Sequence, residues 1–245
     1  MIPNRREFLS WLGGAVAVMG SAAVVHSGER LNQALIGPLA QRHSDHTVPV
    51  TPPVTPKAVW AELHAGNQRF MAGTPQVREF VHLRASLVAG QHPKAIVLSC
   101  ADSRVAPELV FDQNLGDLFV VRTAGNVADA IALGSIEYAV EHLHVPLIVV
   151  LGHEKCGAVA AVAAGHLPEP NLDDIEKKIA PALLSLRATA SGEKLVRLGV
   201  EANARQSAKD LRSNSPLLHA EVTAEKVQIL TAVYHLESGE VSLLS

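Results

Sequence analysis

Extended runs of lysine and arginine are missing from this 245-residue sequence, and a net charge of -3 leaves no basic footprint for nucleic acid. Aromatic residues are scarce at 4%, which argues against an all-β sandwich and for a helix-covered sheet rich in Ala, Val and Leu. Cysteine is rarer still, with Cys100 and Cys156 the only two, so a disulfide framework is excluded. One bridge between them is a possible reading of an exported chain. The stronger reading is a metal site, because each cysteine stands beside other ionic or metal-competent residues at a predicted strand end. No internal repeat is present.

A long membrane-spanning run is also lacking. The apolar stretch from Trp11 to Val25 is shorter than a span needs, which argues against permanent anchoring. It follows Arg5-Arg6, and a paired arginine before a modest apolar run is the pattern of a twin-arginine export signal. Asn4 and Ser10 depart from the usual form of that signal, and the alternative is an apolar helix packed on the domain. No cysteine follows, which excludes a lipid anchor. Residues 1–30 are therefore read as an export signal, with a periplasmic destination and the export machinery as a partner. Leu31 to Ala40 has room for a short helix. The proline-rich stretch to Pro56 then reads as a stiff linker, residues 31–56, in which His43, Asp45 and His46 form a solvated cluster.

What remains, residues 57–245, is long enough for one domain, and 48% apolar residues supply its core. Apolar runs at Ala95 to Leu98, Leu118 to Arg122 and Leu147 to Leu151 alternate with helical patterns. Those patterns cover 57–72, 81–89, 128–144 (ended by Pro146), 153–164, 173–190 and 200–212. Alternation of this kind predicts an α/β fold: a mostly parallel sheet flanked by helices, with an N-terminal helical arm. Val227 to Tyr234 and Val241 to Leu244, separated by Glu237-Ser238-Gly239-Glu240, read as a terminal hairpin.

Chemistry concentrates at two strand ends. Ala95 to Leu98 runs into Cys100, Asp102 and Arg104, and Leu147 to Leu151 runs into Gly152-His153-Glu154-Lys155-Cys156. With a helix beginning at His153, the three-residue spacing places His153 and Cys156 on one helical face. Cys100 arrives from the other strand and completes a Cys2His zinc set that leaves a fourth position open, as catalytic sites do. Two thiolates cancel the formal charge of the zinc, so the site needs help in acidifying water. Asp102 is placed to accept a hydrogen bond from that water or to occupy the open position itself, and Arg104 to hold it ionised.

Cys100-Ala101-Asp102-Ser103-Arg104 together with Gly152-His153-Glu154-Lys155-Cys156-Gly157 closely resembles the paired motifs of β-class carbonic anhydrases. The likeness runs from about Ala58 to the C-terminus. It implies that Cys100, His153 and Cys156 bind one zinc, that Asp102 and Arg104 form the catalytic dyad, and that Gln91, Phe119 and Tyr138 line the substrate pocket as in plant-like members. It also implies reversible hydration of CO2 to bicarbonate by zinc-activated hydroxide. A homodimer or larger homo-oligomer is implied too, with N-terminal helices across the partner and pocket residues shared between subunits. Val97 stands where bicarbonate-regulated members carry tryptophan, so the resemblance places the chain in the non-allosteric branch. The same scaffold hosts zinc hydrolases of CS2 or COS, and a noncatalytic zinc-binding assembly protein is the reading from another class.

Overall fold

The computed structural model describes residues 55–165 and 170–244. The export signal, the helix expected at 31–40, the His43/Asp45/His46 cluster and nearly all of the linker lie outside them.

Strands β1 (Ala95–Cys100), β2 (Leu118–Thr123), β3 (Leu147–His153), β4 (Gln228–Tyr234) and β5 (Val241–Leu243) form one sheet in the order β2-β1-β3-β4-β5. All neighbours are parallel except the β4–β5 hairpin. Every residue of β1 and β3 is buried, and for that reason neither reads as alternating in the sequence: both faces of these central strands are covered.

The pleat nevertheless sorts the side chains. Ile96, Leu98, Ile148 and Val150 pack on one face with α4 (Ala130–Leu143), α7 (Gly192–Asn214) and α8 (Pro216–Thr223). Ala95, Val97, Leu147, Val149 and Leu151 pack on the other with α1 (Pro56–Met71) and α3 (Pro107–Val110). Helices α5 (Gly157–Ala164) and α6 (Asp173–Leu183) cover the C-terminal strand ends, where Val159, Val162, Ile179 and Leu183 enclose the two cysteines. No helix among the described residues is long and apolar enough to cross a membrane.

Several expected boundaries move, each for a local reason. The fourth helix stops at His144, which adopts φ 55° before Pro146 is reached. The helix expected at 200–212 begins at Gly192, where Leu195 and Gly199 already face the core. Helix α8 was not anticipated, although Ser215-Pro216 announces it: Ser215 Oγ accepts the Leu218 N–H at 3.0 Å and proline occupies the first turn.

The arm is held by two polar clips. Asn67, buried in α1, donates to the Val110 and Gly239 carbonyls at 3.0 and 2.8 Å and accepts the Val241 N–H at 2.9 Å. Gly66 beside it lets α1 lie on the backbone, since a methyl group there would overlap the Phe111 carbonyl. Asp112 accepts from Arg69 Nε at 2.5 Å, from the Gln76 N–H and from Arg78. Burial raises the Asp112 carboxyl, but these partners outweigh it and hold the group below the usual carboxylate range. The depressed value stabilises the fold above the unfolded carboxyl pKa, and that contribution is lost as pH falls through the folded value. Asp112→Ala is expected to cost about 3 kcal/mol by leaving two arginines unpaired, read as a lower denaturation midpoint with an unchanged slope.

Candidate metal centre

The chain leaves β1 toward β2 on one side and later returns to place β3 on the other. The crevice beyond the C-terminal ends of β1 and β3 is therefore the topological switch point, the usual ligand site of an open parallel sheet. Cys100 is the last residue of β1 and His153 the last of β3.

Their relation to Cys156 differs from the sequence reading. His153 and Cys156 do not share a helical face. The apolar run continues through Gly152, and His153 is still in register with Tyr234 of β4, so the strand ends two residues later than expected. Lys155, at φ 52°, then turns the chain in the left-handed region, which no helix passes through. Cys156 caps the N-terminus of α5 in extended backbone, a position whose dipole favours a thiolate.

The three ligand atoms lie within 4.8 Å of one another, and all three residues are buried. The sulfurs are 3.9 Å apart, within S–H···S reach and not joined in a disulfide. Two sulfurs each 2.3 Å from a tetrahedral zinc stand roughly 3.8 Å apart, so the observed spacing fits that ion. His153 meets a second requirement. Its Nδ1–H donates to the Glu154 carbonyl at 2.8 Å, which leaves Nε2 as a lone-pair donor, buried and without a hydrogen-bond partner. Such an atom is costly unless a metal takes it. The thiols are polarised too: the hydrogen bond from Cys156 pulls the Cys100 pKa down, whereas Cys100 and burial push that of Cys156 up.

Asp102 stands over this group, with Oδ2 3.8 Å from His153 Nε2. Arg104 engages both of its oxygens: Nε and the backbone N–H each reach Oδ1 at 2.9 Å, and an Nη reaches Oδ2 at 2.7 Å. This fork is the main cause that holds the Asp102 carboxyl well below the usual carboxylate range, against partial burial. Arg104 also reaches the Lys155 carbonyl at 3.4 Å and so bridges the two motifs.

Residues that the sequence reading did not single out complete the frame. Arg122 donates to the Cys100 carbonyl at 3.1 Å and the Asp102 carbonyl at 2.6 Å, fixing the loop between ligand and acid. An arginine ending an otherwise apolar strand beside the candidate loop was the available signal. Glu154 is anchored at β4, where its N–H meets the Tyr234 carbonyl at 3.0 Å and its carboxylate takes the Leu236 N–H and His235 Nδ1. His235 Nε2 lies 2.8 Å from Ser242 Oγ, so the turn holding two ligands is tied through Glu154 to the terminal hairpin.

The remaining three sequence candidates lie elsewhere in the chain. Gln91 is exposed just before β1, and Phe119 pairs with Ile96 near the N-terminal ends of β1 and β2. Both are at the far end of the sheet from Cys100. Tyr138 is 48% exposed on α4 and packs its ring on His142 at 5.1 Å. Gln91 and Phe119 are thus not brought to the metal centre of their own subunit.

Comparison with known proteins gives the same answer. A family model described as carbonic anhydrase matches residues 95–241. Carbonic anhydrase 2 of Mycobacterium tuberculosis is 44% identical over 197 residues, covering 78% of this chain and 94% of the relative. The carbonic anhydrase of Mycolicibacterium smegmatis is 43% identical over 199 residues, covering 79% and 96%. The solved β-carbonic anhydrase CcaA superposes with a TM-score of 0.62 at 28% identity over 76% of this chain and 95% of that one. Motifs, ligand geometry and backbone thus agree over the same residues, and the chain belongs to the β-class carbonic anhydrases.

Proposed function

We propose that the protein catalyses the reversible hydration of CO2 to bicarbonate and a proton, with one zinc per chain. The observation that carries this reading is the convergence of buried Cys100, His153 and Cys156 beneath an aspartate that Arg104 holds ionised. Zinc, when bound, supplies a Lewis acid that makes water ionisable near neutral pH. Asp102 orients the attacking water by accepting a hydrogen bond from it, which turns a lone pair toward CO2. Because both Asp102 oxygens are engaged by Arg104, the carboxylate is held in this role rather than free to become a ligand itself.

The pocket is completed from a second copy of the chain. Gln91 supplies an amide donor to the developing bicarbonate oxygen, and Phe119 and Tyr138 supply an apolar wall suited to uncharged CO2. The α2 segment (Phe80–Ser86) supports this arrangement. It buries none of its own residues, and Phe80 and Val81 within it and Val88 in the turn after it are 56%, 69% and 85% exposed, a surface that a partner subunit would cover. Val97, three residues before Cys100 where bicarbonate-regulated members carry tryptophan, supports placement in the plant-like, non-allosteric branch.

Stopped-flow CO2 hydration on zinc-quantified protein, run beside COS and CS2 turnover, tests the assignment. Hydration is expected to dominate; COS or CS2 turnover without hydration would reassign the substrate. Full zinc with no turnover would favour the noncatalytic reading, against which the intact Asp102–Arg104 pair argues.

Residues 1–30 are proposed to direct export to the periplasm in the folded state, with 31–56 as the linker to the catalytic domain. The support is Arg5-Arg6 ahead of the apolar stretch. Replacing both arginines by lysine is expected to retain the protein in the cytoplasm, as read by fractionation; unchanged export would refute the twin-arginine route.

A further inference from the structure

Cys100 Sγ is not only a prospective zinc ligand. It accepts the backbone N–H of Gly125 at 3.3 Å in a buried contact. Gly125 follows β2 and adopts φ 69° and ψ 23°, a left-handed conformation that suits glycine. The space confirms the requirement, since a Cβ there would lie 2.7 Å from Ile179 Cδ1 and 3.2 Å from Ala158 Cβ. Glycine's freedom makes it a poor holder of its own orientation. Something else must keep that N–H on the sulfur.

Asn203 does so. It lies in α7, is 1% exposed, and donates from Nδ2 to the Gly125 carbonyl at 2.7 Å across 78 positions of sequence. Because that partner is a carbonyl, the amide nitrogen must face it, and the orientation of the side chain is fixed by chemistry. Its Oδ1 is buried with no hydrogen-bond partner, a cost that an apolar residue of similar size would avoid. One turn earlier on α7, Val200 borders Gly152, so a single helix bears on β3 and on the turn that follows β2.

We propose that Asn203 is a positioning residue of the metal centre, acting through the Gly125 peptide to keep a hydrogen bond on the Cys100 thiolate. The chemical reason is charge. Two thiolates neutralise the formal charge of zinc, and an N–H bond to one of them withdraws electron density from the sulfur, leaving the metal more electrophilic. The proposal rests on the Cys2His metal reading and is independent of which substrate is hydrated.

The test uses the full chain reconstituted with Co2+, comparing wild type with Asn203→Leu, which keeps the branched heavy-atom skeleton without polar atoms, and Asn203→Asp, which replaces the amide nitrogen by oxygen. Loss of the N–H···S bond is expected to move the thiolate-to-cobalt charge-transfer band to longer wavelength and to speed exchange of the Gly125 amide. Zinc affinity, read by chelator competition, is expected to fall about tenfold. Variants that lose thermal stability but keep the wild-type band and Gly125 amide would overturn the proposal. Should neither variant fold, 113Cd-substituted wild type decides: scalar coupling between cadmium and the Gly125 amide proton is expected, and its absence refutes the hydrogen bond. A wild-type chain that takes up no cobalt refutes the metal reading itself.

Discussion

His153→Ala is expected to leave the purified protein essentially free of zinc and to lower CO2 hydration by well over 100-fold, more than the upper figure for residues one shell further from a metal. The ring is wholly buried, its Nδ1–H is committed to the Glu154 carbonyl, and Nε2 has no hydrogen-bond partner, so the metal loses a donor that nothing nearby replaces. Cys100→Ser and Cys156→Ser are expected to behave alike, because a hydroxyl is a poor substitute for a thiolate on zinc. Metal analysis beside the rate measurement separates this loss from misfolding. A soluble His153→Ala protein with one zinc per chain would remove His153 from the ligand set.

Asp102→Asn is expected to give the opposite pairing of metal content and rate. Zinc is retained, because Asp102 is not one of the three converging ligands, and kcat/KM falls by about 10² to 10⁴, the range for removal of a positioned acid–base group. The amide is isosteric but uncharged, so the fork from Arg104 loses its ionic partner and the acceptor that orients water is weakened. Arg104→Ala should lower the rate as well, since it frees the carboxylate from the guanidinium. The pH dependence follows from the direction of the shift. Arg104 holds the Asp102 carboxyl below its ordinary value, so any stability it contributes is present above the unfolded carboxyl pKa and is lost only in strong acid. Asp102 is thus fully ionised between pH 5 and 9, roughly one unit or more above an unperturbed aspartate, and the rate profile should show no limb from it there. An acidic limb that vanishes in Asp102→Asn would contradict this.

Much of the architecture was legible because burial on both faces writes strands as unbroken apolar runs, and Ala95 to Leu98 and Leu147 to Leu151 are such runs. The ligand types and the acid–arginine pair were legible because they stand next to those runs. What failed was local geometry. The three-residue spacing of His153 and Cys156 looks helical, and nothing in Glu154-Lys155 announces that lysine takes a left-handed turn while histidine stays paired with β4. Long-range polar contacts were equally hidden: Arg122 on the Cys100 carbonyl, Asp112 between two arginines, and Asn203 on Gly125 depend on elements that meet only in the folded chain. Gln91 and Phe119 show a different limit: the predicted parallel strands already put them at the end away from Cys100, and only the family resemblance assigned them to the pocket.

One zinc held by Cys100, His153 and Cys156 is what makes this chain a carbonic anhydrase. Titrating metal-free protein with zinc while following CO2 hydration by stopped flow puts this to the test. The rate is expected to rise in proportion to added zinc and to stop rising at one equivalent per chain. Full activity in the metal-free protein, or a fully loaded protein that hydrates no CO2 between pH 7 and 9, would contradict it.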